Sequence, residues 1–202
     1  YHQKWDWPPE EILSNSFFYD KTAEFYRFYR EKLIIHGIKP NITHLKLAEL
    51  EAKGKLSAVI TQNIDGLHQS AGSRKVFELH GSTLRNYCTN CHAFYDLDYV
   101  DTHSDKNGLP LCEKCGGLIK PDVVLYGENL NDSVVQGAVN ALWQADMLII
   151  GGTSLTVYPA AGLIREFGGK YLVLINRDPT PSDDIANLVI HDSLGKVFGE
   201  IK

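Results

Sequence analysis

The apolar residues of this chain fall in strand-length runs separated by segments of helical length. Leu56 to Ile60 (LSAVI), Val76 to Leu79, Val123 to Tyr126 (VVLY), Met147 to Ile150 (MLII), Tyr171 to Ile175 (YLVLI) and Val189-Ile190 read as strands. Lys21 to Leu33 carries aromatic residues at helical spacing. Ile42 to Lys53 (closed by Gly54), Ser133 to Gln144, and Pro159 to Phe167 ahead of Gly168-Gly169 also read as helices. Strands alternating with helices predict βαβ units. The expected fold class is α/β, a Rossmann-like parallel sheet with helices on both faces. At 202 residues and 44% hydrophobic, the chain has material for one such core and a small insertion. No apolar run reaches the length of a membrane span. A net charge of -5 argues against a nucleic-acid partner, which calls for a basic patch.

The cysteines are the strongest chemical signal. Cys88-x-x-Cys91 and Cys112-x-x-Cys115 form two knuckles. Such pairs can present four thiolates tetrahedrally to one zinc ion, leaving no position for water, so the metal is expected to be structural. It would fold an insertion that has little core of its own. His92 is a competing ligand on paper, but reads as a surface residue. The opening YHQKWDWPPE does not read as a secretory signal. Cysteines used this way suit a reducing compartment, and a cytoplasmic location is expected.

Polar residues gather where strands end. LSAVI runs into Thr61-Gln62-Asn63-Ile64-Asp65-Gly66, and the Val76 strand runs into His80. MLII runs into Gly151-Gly152-Thr153-Ser154, and YLVLI into Asn176-Arg177-Asp178. In an open parallel sheet, ligands bind outside the carboxyl ends of the strands. Glycines there let backbone approach a phosphate or ribose, and hydroxyls and amides can hydrogen-bond it. An imidazole suits proton transfer near neutrality. Singly, Asn63 and Asp65 could be turn-formers and His80 a core histidine. Together they look like a grip on a nucleotide sugar.

The same residues carry a family resemblance. TQNIDGLHQSAG, ELHGS, the paired knuckles, KPDVVLYGENL (Lys120 to Leu130), GGTSLTVYPAAGL (Gly151 to Leu163) and INRDPTP (Ile175 to Pro181) follow one another as in the sirtuins. These are NAD-dependent protein lysine deacylases, and the chain looks most like bacterial or archaeal members. By this resemblance His80 is the catalytic base and Asn63 a second catalytic residue. Asn63 and Asp65 lie around nicotinamide and its ribose, with Gln62 on the ribose and Ile64 among the cofactor contacts. Gly152, Thr153 and Ser154 form a cofactor-binding turn. Asn176, Arg177 and Asp178 lie at the adenosine end, and Asp192 or Ser193 near the adenine. Val123, Val124, Tyr126, Gly127 and Glu128, with Val157, match segments that clamp an acetylated-lysine peptide by main-chain pairing. Residues 1-45 would form a cofactor-lid and helical module. Residues 46-83 and 118-202 would form the NAD-binding domain, and 84-117 the zinc-binding insertion.

The implied reaction consumes NAD rather than cycling it. The acyl oxygen attacks the anomeric carbon of the nicotinamide ribose as nicotinamide leaves. His80 takes a proton from a ribose hydroxyl, and water completes the release of lysine and O-acetyl-ADP-ribose. Two departures stand out. Sirtuins open with a strand, a Gly-Ala-Gly-x-Ser phosphate loop and a Gly-Ile-Pro-Asp-Phe-Arg segment. The resemblance places Tyr1 after all of these, so a truncated, inactive form is one alternative. Members that remove succinyl or malonyl groups carry Tyr-x-x-Arg near the acyl pocket. Here Tyr26 and Tyr29 occupy that register, with Arg27 and Arg30 out of it. Uncharged acyl groups are therefore expected.

Other classes fit less of the chain. A dehydrogenase would show a full GxGxxG turn, which is missing. A non-catalytic zinc ribbon leaves TQNID and ELHGS idle. A mono-ADP-ribosyltransferase of the same family is the nearest enzymatic alternative. The sequence sets no oligomeric state.

Overall fold

The computed structural model describes residues 5–201, with backbone only for Ala160. Residues 1–4 and Lys202, which fall within the expected modules 1-45 and 118-202, lie outside the described residues. In chain order the elements are α1 (Pro9–Ile12), α2 (Asn15–Asp20), α3 (Thr22–Lys32), α4 (Ile42–Ala52), β1 (Val59–Thr61), α5 (Leu67–Ser70) and β2 (Val76–Glu78). Next come β3 (Gly81–Cys88), β4 (Phe94–Asp96), α6 (Leu97–Thr102), β5 (Ile119–Val123), α7 (Asp132–Trp143) and β6 (Met147–Gly151). A 3-10 helix (Ala160–Glu166), β7 (Tyr171–Ile175), a 3-10 turn (Asp183–Ile185), β8 (Leu188–Ile190) and α8 (Leu194–Glu200) complete the chain.

These elements gather into two compact units. The first holds the chain up to Ile38, Asn63–Gly66 and His80–Asn129. The second holds Lys39–Gln62, Leu67–Leu79 and the chain from Leu130 onward. The helical segment and the cysteine insertion thus belong to one unit.

The first unit is built on aromatic packing. In α3, Phe25, Tyr26, Phe28 and Tyr29 are all buried, while Arg27 points to solvent. Their spacing puts them on one helical face. Phe25 stands edge-on to Phe18 of α2 at 4.9 Å and stacks on Tyr29 at 5.7 Å. Each such pair contributes about 0.5–1.5 kcal/mol beyond burial. The Tyr26 hydroxyl donates to the Ile119 carbonyl, which ties α3 to β5. Strands β4, β3 and β5 form an antiparallel sheet in that order.

The second unit carries the parallel strands. β1 pairs with β2, and β6, β7 and β8 pair in sequence order, so the parallel strands form two separate pieces among the described residues. Leu172 and Leu174 of β7 are buried on one face of the three-stranded piece. α7 packs close on β2, where a Cβ on Gly137 would lie 2.4 Å from the Phe77 ring.

Several strand and helix limits differ from the sequence reading. The first strand starts at Val59, not Leu56, because the Lys55 and Leu56 N–H groups turn back to the Leu50 carbonyl and close α4. Gly54, at φ +68°, supplies the left-handed step that this closure needs. The strand expected over Val123 to Tyr126 lies earlier, at Ile119–Val123. Beyond Val123 the chain turns, with Glu128 N–H bonded to the Leu125 carbonyl at 2.9 Å. Residues Ala160–Glu166 wind as a 3-10 helix, with Gly162 N–H on the Pro159 carbonyl. The polar run after His80 contains β3 and β4, which apolar patterning did not reveal.

Truncating the buried face of α3 should be severe. Phe25→Ala is expected to lower unfolding stability by about 3–5 kcal/mol. Arg27→Ala should stay within about 1 kcal/mol, because its ion pair with Glu24 is exposed. Denaturant titration of both variants reads the difference, and equal losses would refute this account of the core.

Candidate active site and metal centre

The start of β3 holds His80 in place. Gly81 has φ +75°, and a Cβ built on it would stand 1.9 Å from the Asp122 carbonyl oxygen. Only glycine allows that approach without displacing backbone. Gly81 pairs with Val123 in the β3–β5 ladder, and the Val124 N–H donates to the His80 carbonyl at 3.0 Å. The half-buried His80 is therefore fixed by main chain against the Val123-Val124 segment.

Asn63, Ile64 and Asp65 are tied to the same strand. The Ile64 carbonyl accepts the Thr83 N–H at 3.0 Å and the Thr83 hydroxyl at 3.1 Å. Gly66, at φ +69°, takes a left-handed step that a side chain would strain. The structure thus brings Asn63, Ile64 and Asp65 together with His80, Val123 and Val124 in the first unit. Gln62 falls just before the division, at the end of β1 in the second unit.

Residues after Val124 form a tight loop. Tyr126 is flanked by the α1–α2 junction: its N–H donates to the Leu13 carbonyl and its carbonyl accepts the Asn15 N–H, both at 2.9 Å. Tyr126 itself is 51% exposed, and Gly127 turns at φ +87°. The Glu128 carboxylate is bonded by the Leu125 N–H at 2.9 Å, the Asn15 side-chain amide at 2.7 Å and Lys120 at 3.1 Å. Partial burial pushes the Glu128 carboxyl up, but these three donors outweigh it and hold it below its ordinary value. The sequence reading missed Asn15, Lys120 and Gly81 as parts of this site. A glycine directly after the candidate base was the one available signal.

In the second unit, register aligns the carboxyl ends of three parallel strands. Gly151 pairs with Ile175, and Ile175 with Ile190. Gly152 (φ +64°), Asn176 and the Asp192-Ser193 pair therefore follow the ends of adjacent strands. Gly152 N–H donates to the Ile175 carbonyl at 3.2 Å. Thr153 accepts the Leu155 N–H at 3.2 Å, and the Ser154 hydroxyl meets Thr156 at 2.7 Å. The Asn176 amide holds the Asp178 carbonyl at 2.8 Å, while Arg177 and Asp178 are exposed. Ser193 caps α8, and Asp192 accepts the Ser193 N–H at 2.7 Å. Val157 is exposed in this unit, its carbonyl accepting the Ala161 N–H. Exposed hydroxyls, amides and a left-handed glycine at parallel strand ends fit the phosphates and ribose hydroxyls of a dinucleotide.

The four cysteines converge within the first unit. Their sulfur atoms all lie within 4.8 Å of one another, with Cys88–Cys115 at 3.4 Å and Cys91–Cys112 at 3.5 Å. A tetrahedral zinc with Zn–S bonds near 2.3 Å sets sulfurs about 3.8 Å apart. The Tyr95 hydroxyl donates to Cys112 at 3.1 Å and holds that thiol down, to about 6. At Cys91 the Ala93 backbone contact lowers the thiol, but the Cys115 and Cys112 sulfurs outweigh it and push it up to about 12. Four thiols so close cannot all ionise without a cation among them. The donor set fits zinc with a closed sphere. His92, exposed at φ +58°, stands outside the cluster.

The Sir2 family profile matches residues 4–159. The chain belongs to the Sir2 family. Among its relatives, a Clostridium perfringens protein named NAD-dependent protein deacetylase is 58% identical over 96% of this chain and 78% of its own length. A Clostridium acetobutylicum protein of the same name is 56% identical over 95% of this chain and 78% of its own length. Among solved structures, a Sir2 protein described with p53 peptide and NAD+ is 41% identical with a TM-score of 0.88, over 95% of this chain and 81% of that one. A Sir2 protein bound to a propionylated peptide has a TM-score of 0.89 at 41% identity, over 96% and 83%. The Rossmann-like class expected from the sequence is that of this family.

Zinc removal tests the metal centre of this Sir2 chain. A thiol-reactive release assay should free one zinc per chain, and Cys112→Ser should lower that yield and unfold the β3–β4 region. Structural zinc contributes on the order of 10–16 kcal/mol in small zinc folds, so chelation should be felt as lost structure. Full stability of a zinc-free chain would overturn the assignment.

Proposed function

We propose that this chain is an NAD-dependent protein lysine deacetylase that converts acetyl-lysine and NAD to lysine, nicotinamide and O-acetyl-ADP-ribose. Within a Sir2 chain, the observation that carries this reading is His80, fixed by main chain beside the Val124 edge. NAD, when bound, is consumed as co-substrate and supplies the ribose that accepts the acyl group. Gly152, Thr153, Ser154, Asn176, Arg177 and Asp178 would hold its adenosine and phosphate portion, with Asp192 and Ser193 near the adenine. Gln62, Asn63, Ile64 and Asp65 would hold the nicotinamide ribose. His80 accepts the proton that frees a ribose hydroxyl for attack.

The peptide edge is read from unused main-chain groups. In the 124–127 loop, the Val124 carbonyl and the Gly127 N–H have no partner among the described residues. An extended substrate can pair there, which tolerates many sequences and leaves the acylated lysine as the feature recognised. Val157 would be a further peptide contact. No helix among the described residues is long and apolar enough to cross a membrane. A four-thiol metal centre suits a reducing compartment, which supports a cytoplasmic location.

Mass spectrometry of an acetyl-lysine peptide, with and without NAD, tests the reading. Acetyl loss that requires NAD is expected. His80→Ala should lower turnover by at least about 10²–10⁴-fold with the fold retained. Near-normal turnover by that variant would refute the assignment. Label from NAD fixed on protein, rather than on a small acetylated product, would instead favour ADP-ribosyl transfer.

Acyl choice follows from α3. Tyr26 and Tyr29 are fully buried, and Arg30 is turned onto the Val100 and Gly108 carbonyls at 3.0 and 2.7 Å. With that guanidinium already engaged, a succinyl carboxylate finds no bidentate partner from α3. Acetyl-lysine should be turned over at least about tenfold faster than succinyl-lysine, roughly 1.4 kcal/mol of discrimination. Comparable rates on the two peptides would sink this account.

A further inference from the structure

Glu128 is not a free surface carboxylate: its part-buried side chain is bonded by three donors around the 124–127 loop. Its Oε2 accepts the Leu125 N–H at 2.9 Å and faces Lys120 Nζ at 3.1 Å, while its Oε1 accepts the Asn15 amide at 2.7 Å. These donors come from three places: the loop itself, strand β5 and the start of α2. Lys120 also reaches the Val123 carbonyl at 3.1 Å. On the other side, Leu13 and Asn15 hold both main-chain groups of Tyr126. The side chains of Lys120 and Glu128 are 19% and 22% exposed, so the pair is shielded from full solvent screening.

We propose that Asn15, Glu128 and Lys120 form a positioning clip that presets the 124–127 main chain as a rigid edge for the acylated peptide. This rests on the deacetylase reading, and goes beyond it in giving Asn15 and Lys120 a role. The clip touches neither the acyl group nor NAD. It acts by fixing where the Val124 carbonyl and Gly127 N–H point before substrate arrives. A preset edge avoids the ordering cost that a free loop would incur on binding. Glu128→Gln keeps one acceptor oxygen in place of two, so it could hold the Leu125 N–H or the Asn15 amide but not both, and it would lose the charge that holds Lys120.

The test measures peptide binding directly and turnover separately. A fluorescent acetyl-lysine peptide is titrated into the wild type and into Asn15→Ala, Lys120→Met, Glu128→Gln and Glu128→Ala. Amide hydrogen exchange at Leu125 is followed in parallel. Loss of hydrogen bonds to a charged group predicts peptide affinity about tenfold weaker in Glu128→Ala. Glu128→Gln should recover part of that loss, and Leu125 should exchange faster in step with the weakening. The KM for the peptide should rise with it, while the KM for NAD at saturating peptide stays put. Unchanged peptide affinity, or KM values for peptide and NAD that rise together with a falling melting temperature, would overturn the clip. Wild-type binding of the peptide without NAD-dependent turnover would remove the deacetylase reading and leave the clip to be judged by the affinities. No wild-type peptide binding would overturn the clip as a substrate device.

Discussion

The backbone contact between Gly81 and Asp122 sets the geometry of the first unit. It brings β3 against β5 more closely than any side chain would allow. That closeness registers Gly81 with Val123 and lets Val124 bond the His80 carbonyl. At the other end of the same two strands, Cys88 pairs with Ile119. One ladder therefore carries the candidate base at its start and a metal ligand at its end. Fixing the thiol end with a cation stiffens the strand whose first residue follows His80. This gives a structural metal a consequence for the site without placing it in the chemistry.

The sequence disclosed what chemistry marks and concealed what packing hides. The cysteines announced their cluster because paired knuckles have few other uses. MLII and YLVLI were legible as strands because their apolar runs are bounded by turn residues. β3 was not, because its buried positions include Ser82, Thr83 and Asn86. A strand that buries hydroxyls and an amide gives no alternation of apolar and polar side chains to read. The 3-10 winding of Ala160–Glu166 was hidden for a related reason: an AAGLIRE pattern does not distinguish i+3 from i+4 bonding. The clip around Glu128 joins residues 113 positions apart in sequence, as Asn15 and Glu128 are. No local pattern encodes such a pairing.

The second unit shows how much strand register alone accomplishes. Its candidate cofactor residues lie on separate segments, yet two pairings place them side by side: Gly151 with Ile175, and Ile175 with Ile190. The polar side chains beyond these residues need no contacts with one another to act together. Parallel strands in register present their following loops along one edge. Separate loops can therefore each supply one interaction to a long ligand such as a dinucleotide.

Helix α3 shows how a shift of one residue separates two side-chain environments. Its buried face is made of Phe25, Tyr26, Phe28 and Tyr29, and its arginines fall one residue after each tyrosine. A helix turns about 100° per residue. An arginine one step from the inward position therefore meets a different neighbourhood. Arg27 lies over the Trp5 ring at 4.7 Å, and Arg30 is held by the carbonyls of the α6 region. Burial of Tyr26 and Tyr29 pushes both phenols up, Tyr29 by desolvation alone, so the inward face of the helix carries no charge at physiological pH. An anionic acyl group brought there would lose its hydration and meet no cation from α3. A neutral acetyl group would lose little, and under the deacetylase reading that difference is the ground for expecting acetyl-lysine as the better substrate.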